Sequence, residues 1–413
     1  MSLAPPPLPA GPRLQPSEGP QRLPWLDAVR GVALAGIGLM NVEWFTRPFQ
    51  ELGMGPAPDT QGAERVLSWA VVALVQGKFW VLFALLFGIG FTLQQQRLQQ
   101  AGIRPTPLLL RRLLVLFAIG IAHALLLWPG DILHTYALAG ALLLAWPAMT
   151  PRMLLLLGAA AYIAMALLAL AGGVLLMVAD PAGDWWQAVQ IDAEAAAAVY
   201  ATGTYGDVTL QRLRDLLQLL SYEVLLLPMA FGAFLLGRAL LQSGKLPSND
   251  HAERAAPTWP WVAGLVGVVA TAAGVWQMIR AGDDINRIIF ASAIVSLGAL
   301  PLALGYLAVL RGLWGTAAGR WVLQPFRSYG RMALTHYLMQ SLLFGLLFYG
   351  YGLGWWGQMD RSAQLLVVMI VVGSQMAFGA AWLALFRHGP LEWLWRWATY
   401  GQRPPLRRLQ QSG

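Results

Sequence analysis

Ten runs of apolar residues, each near twenty residues long, set what this chain can fold into. A helix needs about 20 residues to cross ~30 Å of hydrocarbon, and in lipid its backbone polar groups must be satisfied within the segment. The runs lack the alternation of apolar and polar residues that barrel strands require. We therefore predict an all-α, polytopic integral membrane bundle of about ten transmembrane helices, at 28–46, 77–95, 110–128, 132–148, 153–178, 219–241, 259–279, 286–309, 330–351 and 363–386.

The composition excludes several other classes of protein. Hydrophobic residues make up 57% of the 413 residues and charged residues only 12%. This composition is too apolar for a soluble domain or a disordered chain. The net charge of +8 comes from residues scattered between apolar runs, which argues against nucleic acid as a partner. The chain has no cysteine, so disulfides, thiolate metal sites and a cysteine nucleophile are excluded.

The distribution of charge predicts the orientation. If the N-terminus is cytoplasmic and the ten spans alternate, 20 of the 28 Lys and Arg residues lie on the cytoplasmic side. The same division leaves 15 of the 20 Asp and Glu residues outside. We therefore expect a multi-pass protein of the bacterial inner membrane with both termini in the cytoplasm.

The parts outside the spans are short. We expect a disordered proline-rich tail at 1–24, a single transmembrane domain at 25–400 and a basic tail at 401–413. Within the domain, we predict an interfacial helix at residues 389–400. The outer loop at 180–218 is interpreted either as an interfacial helix anchored by Trp185 and Trp186, or as a lid that binds an acceptor.

Ionisable residues within predicted spans are costly and are therefore functional candidates. Asp27 and Arg30 lie three residues apart at the start of the first span. They form either a structural ion pair, or a site where Arg30 holds the phosphates of a cytoplasmic donor. Asn41, near the other end of this span, is a further candidate binding residue.

A second polar set lies where the third span meets the fourth. Asp131 follows a Trp-Pro-Gly turn, and His134 comes three residues later, with His123 near the end of the preceding span. Asp131 either only caps the next helix, or orients His134 as a general base with His123 facing the same space. No spacing here supplies three dependable ligands on one helix, so we predict no metal.

The ninth span begins with a third polar set. Arg331 lies at its inner boundary, and His336 and Gln340 are four residues apart on one face. These residues either tie helices together or line the cytoplasmic half of a pathway shared with Arg30. Lys78, at the start of the second span, is either a side chain extended to the outer headgroups or a further binding residue.

Several of these segments resemble one family. The opening Leu26-Asp27-x-x-Arg30-Gly31 is similar to that of the YeiB-like inner-membrane proteins of bacteria, a domain-of-unknown-function family. Further segments with the same resemblance are 77–91, 130–137, 330–335 and 388–396. His336 stands where the family motif has asparagine.

That family is similar, more distantly, to transmembrane acyltransferases such as heparan-alpha-glucosaminide N-acetyltransferase. The resemblance implies transfer of an acyl group from cytosolic acyl-CoA, a co-substrate and not a bound cofactor, to an outer acceptor. That acceptor would be a small molecule or an envelope glycan or lipid. The sugar O-acyltransferases carry a histidine where this chain has Asn41, and the N-acetyltransferases carry one in the following loop, where 42–76 has none. We predict that His134 or His123 replaces it.

Two other functions fit the same residues. The polar groups could line the route of a small solute, with Asp131 and His134 coupling transport to protons. Alternatively they could only hold helices together in a non-catalytic scaffold.

Overall fold

The computed structural model describes residues 23–57, 60–244 and 258–408. Most of the tail predicted at 1–24, and the end of the tail at 401–413, lie outside the described residues. Fifteen α-helices form within these ranges: α1 Pro24–Asn41, α2 Gly62–Leu74, α3 Lys78–Gln100, α4 Pro105–Leu126, α5 Leu133–Ala145, α6 Pro151–Ala179, α7 Asp184–Thr202, α8 Tyr205–Leu219, α9 Glu223–Gln242, α10 Trp259–Ala281, α11 Ile285–Trp314, α12 Ala317–Arg331, α13 Ala333–Phe348, α14 Arg361–Leu385 and α15 Pro390–Tyr400.

The predicted all-α membrane bundle is confirmed. In the described ranges, eight helices are long and apolar enough to cross a membrane, and each coincides with a predicted span. The other two predicted spans, 132–148 and 330–351, correspond to the shorter apolar helices α5 and α13. The described residues form no β-sheet, only an isolated bridge between Phe386 and Arg407.

Glycines allow the helices to approach closely. A Cβ on Gly158 of α6 would lie 2.7 Å from the Gly232 carbonyl oxygen of α9. Gly264 of α10 faces Gly305 of α11 in the same way, with 3.0 Å from a built Cβ to the Gly305 Cα. Close approach through small residues is how helices associate in lipid. Lipid tails are as apolar as the helix side chains, so the hydrophobic effect does not drive the helices together and close packing must do so.

The bundle has two ends that differ in structure. At one end, Arg212 and Tyr205 of α8 donate hydrogen bonds to the Leu126 carbonyl oxygen at the end of α4. At the other end, the Trp395 indole of α15 donates to the Arg112 carbonyl oxygen near the start of α4. We call these the α8 end and the α15 end. The sequence-based orientation predicts that the α15 end is cytoplasmic.

The outer loop predicted at 180–218 forms α7 and α8. The Arg212 side chain is fully buried and its guanidinium Cζ lies 5.3–5.6 Å from the ring centres of Tyr205, Tyr349 and Tyr351. The Trp185 indole donates to the Asn286 side-chain oxygen of α11 at 3.0 Å. The loop is therefore attached to the bundle by buried polar contacts.

Helix α12 is the element that the sequence argument missed. The span predicted to begin at 330 begins instead at Ala333, because the chain breaks at Met332 after the amphipathic α12. The Glu392 carboxylate of α15 accepts hydrogen bonds from the Leu334 and Thr335 amides at 2.8 and 3.1 Å. It thus satisfies amides that the first turn of α13 leaves unpaired.

Candidate active site

The link between α4 and α5 brings the second predicted set together. Asp131 Oδ1 lies 2.7 Å from His123 Nδ1, and Asp131 Oδ2 lies 3.1 Å from His134 Nδ1. All three side chains are buried. One carboxylate therefore bridges two imidazoles at the α8 end.

The local sequence explains why this carboxylate is held so firmly. Asp131 Oδ2 also accepts the His134 amide at 3.0 Å, so Asp131 both caps α5 and belongs to the polar site. Gly120 of α4 lies against this turn, where a Cβ would be 2.6 Å from the His134 nitrogen. Only a glycine lets α4 come this close to the start of α5.

Glu223, which the sequence argument did not single out, completes the cluster. Its Oε1 lies 3.1 Å from His134 Nε2 and accepts the Thr135 hydroxyl at 2.7 Å. The signal was present, because Glu223 is an ionisable residue within the span predicted at 219–241. We call His123, Asp131, His134 and Glu223 the histidine cluster.

The charge state of Asp131 fixes the role of His123. Burial acts to raise the pKa of Asp131, but hydrogen bonds from His123 and His134 outweigh it and the pKa is lowered. Asp131 is therefore a carboxylate, and His123 donates to it through Nδ1–H. The basic nitrogen of the neutral imidazole is then Nε2, a buried atom with no hydrogen-bond partner within the described residues.

His134 is arranged differently. Its two ring nitrogens face two carboxylates, Asp131 and Glu223, and only an imidazolium donates to both. His134 therefore has no nitrogen left for an acceptor in this geometry. The sequence predicts a general base at His134, whereas the geometry favours His123; the assignment of the base stays a prediction.

A basic cluster lies at the α15 end. Asp27 and Arg30 form the predicted ion pair, with 3.0 Å from Oδ1 to Nη1. Arg112 of α4 lies within electrostatic range of Arg30 and of Arg396 in α15. The Arg112 guanidinium also stacks 3.6 Å from the centre of the Trp395 ring. We call Arg30, Arg112 and Arg396 the arginine cluster.

Arg331 faces other neighbours. It lines a groove between α12 and α14, whereas Arg30 points toward α3, where a Cβ on Gly90 would lie 3.6 Å from its Nη2. A pathway shared by Arg30 and Arg331 remains a prediction, because α1 and α12 pack directly against each other beside both residues, with Gly330 against the Asp27 carbonyl oxygen.

His336 and Gln340 lie together, as their spacing predicts. His336 Nδ1 is 2.9 Å from the Tyr329 carbonyl oxygen, and the Gln340 amide donates to the Tyr329 hydroxyl at 2.6 Å. Gln375 of α14 donates to the His336 carbonyl oxygen at 3.1 Å. These contacts favour the interpretation that the set ties α12, α13 and α14 together.

Lys78 and Asn41 are both buried. Lys78 is 0% exposed and donates to the Val72 carbonyl oxygen of α2 at 2.7 Å, so its predicted extension to the headgroups is wrong. Asn41 is 5% exposed, and its side-chain oxygen has no hydrogen-bond partner within the described residues. In the same ranges no group of three or more His, Cys, Asp or Glu residues is arranged to hold a metal ion.

Comparison with known proteins relates this chain to a family of bacterial proteins. The family model "Protein of unknown function (DUF418)" matches residues 240–402. The chain is 33% identical to the uncharacterized protein YxaH of Bacillus subtilis, over 95% of this chain and 98% of that protein. It is 31% identical to the uncharacterized protein YeiB of Escherichia coli, over 91% of this chain and 95% of that protein. The chain belongs to the YeiB-like DUF418 family.

Membership in this family confirms the predicted resemblance to the YeiB-like proteins, since the match to both relatives covers nearly the whole chain. A third relative, an uncharacterized 39.9 kDa protein from Bacillus acidopullulyticus, is 28% identical over 94% of this chain and 96% of its own length. No solved structure matches this family member.

Proposed function

We propose that this protein transfers an acyl group from an acyl-CoA at the α15 end to a hydroxyl or amine acceptor at the α8 end. The observation that carries the proposal is His123, whose Nδ1 is bound to Asp131 while Nε2 has no partner within the described residues. An imidazole oriented by a carboxylate through one nitrogen, with the other nitrogen unpaired, has the hydrogen bonding of a general base, and in our proposal the bound acceptor displaces the side chains that cover this buried atom.

In this proposal His123 carries out both proton transfers of the reaction. His123 Nε2 takes the proton of the acceptor hydroxyl or amine as the acceptor atom attacks the thioester carbonyl carbon. The C–S bond then breaks, and the thiolate takes the proton back from the imidazolium to leave as the CoA thiol. Asp131 stabilises the imidazolium between the two proton transfers.

The arginine cluster supports a donor site at the α15 end. Guanidinium groups match phosphate oxygens in geometry and charge, and acyl-CoA carries several phosphates. Arg30 and Arg396 lie near Arg112, and the Asp27 carboxylate neutralises only part of their charge. The donor phosphates are held here in our proposal, while the thioester reaches toward the α8 end.

The test is CoA release by purified protein in liposomes supplied with acyl-CoAs and an envelope extract. We expect His123→Gln to lower kcat by about 10²–10⁴-fold, the usual contribution of a general base. His134→Gln, which leaves the His123–Asp131 pair in place, should cost less. The control His388→Gln removes an imidazole at the α15 end and should keep the wild-type rate.

The two kinetic constants separate a catalytic role from a structural one. A base at His123 acts in the transition state, so the correctly folded His123→Gln variant should lose kcat while KM for acyl-CoA stays near the wild-type value. A wild-type rate in His123→Gln would exclude it as the base. No release with any donor would overturn the acyltransferase proposal.

The second candidate is proton-coupled transport of a small solute. It is favoured by the continuity of the histidine cluster, in which four ionisable side chains are joined by hydrogen bonds from α4 to α9. Such chains serve as proton relays in transporters. Solute uptake driven by a pH gradient, without acyl-CoA and lost in Glu223→Gln, would favour this function.

A further inference from the structure

A groove at the α15 end carries a feature that the acyl-transfer proposal does not use. It has a volume of about 600 Å³ and lies between α12 and α14 beside the C-terminal segment. Arg327 and Arg331, four residues apart on one face of α12, line one wall, and Arg408 stands at its edge. The described residues that line it include three arginines and no carboxylate.

The C-terminal segment is fixed at this groove by backbone hydrogen bonds. The Arg387 amide donates to the Leu406 carbonyl oxygen at 2.9 Å, and the Arg408 amide donates to the Leu385 carbonyl oxygen at 3.1 Å. Arg408 is thereby brought to the same groove as the α12 arginines. The Arg327 Nε atom is buried and has no hydrogen-bond partner within the described residues.

The floor of the groove is apolar. It is formed by small and apolar side chains of α14: Met376, Ala377, Ala380, Leu383 and Ala384. Beyond the groove α14 continues as an exposed apolar surface, where Met369 and Ile370 are 60% and 62% exposed. Near the groove, Trp321 of α12 is 80% exposed, as expected of an aromatic side chain in the headgroup layer.

We propose that this groove binds an anionic phospholipid, with the phosphate against Arg327, Arg331 and Arg408 and an acyl chain along α14. The charge of the rim and the apolar floor match the two parts of such a lipid. Basic pockets near the cytoplasmic side of membrane helices recognise anionic headgroups in this way. The proposal does not depend on acyl transfer.

The experiment is native mass spectrometry of the full chain, released from nanodiscs of mixed phosphatidylglycerol and phosphatidylcholine. The test variant is Arg327→Gln with Arg408→Gln, which leaves Arg331 in place. The matched control is Arg320→Gln with Arg407→Gln, which removes the same charge from the same two segments at exposed positions outside the groove.

We expect the wild type and the control to retain phosphatidylglycerol in preference to phosphatidylcholine. The test variant should bind phosphatidylglycerol about thirtyfold more weakly, at about one kcal/mol for each arginine. Equal retention in the test and control variants would overturn the proposal. A second variant, Ala380→Phe, keeps every charge and obstructs the floor, so it should also lose the lipid if the acyl chain lies there.

Competition identifies the source of the phosphate. Free coenzyme A or inorganic phosphate, neither of which has an acyl chain, that displaces phosphatidylglycerol at equal concentration would show that the groove is a site for soluble phosphates, and the lipid assignment would be wrong. Retention of the lipid against both supports it. Because the residues exchanged lie outside the histidine and arginine clusters, a failure here leaves the CoA-release result unaffected.

Discussion

Asp131 performs three tasks with two oxygen atoms. It accepts the amide of His134, holds the ring of His134 and holds the ring of His123. The sequence predicts either a capping role or a role in a polar site, but the short turn after Gly130 lets one carboxylate serve both. Such sharing is hard to infer from spacing, because it depends on the rotation of α4 against α5.

The first prediction at this scale is that Asp131→Asn destabilises the protein by roughly 3–5 kcal/mol, since it leaves the buried imidazolium of His134 short of a carboxylate. Thermal unfolding in detergent measures the effect. Asp284→Asn is the matched control, because Asp284 also caps a helix by accepting the Arg287 amide, but its ion pair is exposed. Asparagine caps helices as well as aspartate, so the control should change stability by less than about 1 kcal/mol. Equal effects would show that the buried pairing contributes nothing.

The sequence revealed part of the site at the scale of single residues. The proximity of His123, Asp131 and His134 follows from a tight link between two helices, which is a local property. The contact with Glu223 joins residues 89 positions apart, and no periodicity determines that α9 lies against α5. The burial of Lys78 escaped for the same reason, since α2 covers it.

Helix contacts in this bundle depend on which glycine faces a neighbour. Gly172 and Gly173 are adjacent in α6, yet a Cβ on Gly173 would lie 2.8 Å from the Phe290 Cα of α11, while a Cβ on Gly172 meets nothing within 4 Å. Two neighbouring positions with the same residue therefore have different roles.

We expect Gly173→Ala to destabilise the protein by about 1–3 kcal/mol, because α6 and α11 must separate to admit the methyl group. Gly172→Ala should be neutral or stabilising by up to about 1 kcal/mol, since alanine restricts the unfolded chain more than glycine does. Thermal unfolding of the two variants in one detergent gives the comparison. A larger loss for Gly172→Ala would contradict the packing of α6 against α11.

The helices themselves were largely predictable from sequence. Hydrophobic length identified every apolar span, since backbone groups in lipid leave the chain little choice. Helix α12 was not recognised, because it lies almost entirely between the spans predicted at 286–309 and 330–351, and an amphipathic helix of this kind is too polar to be detected as a span. Hydropathy detects helices that cross the bilayer better than helices that lie along it.

At the scale of the whole molecule, the proposed donor and acceptor sites lie at opposite ends of one helix. Arg112 and His123 are eleven residues apart in α4, which corresponds to about 17 Å along the axis. A donor held at the arginine cluster therefore needs an arm of about this length between its phosphates and its acyl carbon.

This distance predicts donor specificity. Acetyl-CoA, whose thioester is separated from its phosphates by a long arm, should support acyl transfer, whereas acetyl phosphate, in which the acyl group is bound to phosphate directly, should not. Arg112→Gln should raise KM for acetyl-CoA by at least about tenfold, the value of one lost charge-assisted hydrogen bond. The matched control is Arg111→Gln, at the exposed position next to Arg112, which should leave KM for acetyl-CoA unchanged. Equal rates with the two donors would contradict a divided site.

The shortness of α5 has a consequence for how the protein is made. Its 13 residues extend about 20 Å, less than the ~30 Å hydrocarbon layer, and polar groups crowd its first turn. Such a segment is a weak signal for insertion when it leaves the ribosome. We infer that α5 enters the bilayer paired with α4 as a hairpin, so that the turn holding Asp131 is shielded from lipid from the start of biogenesis.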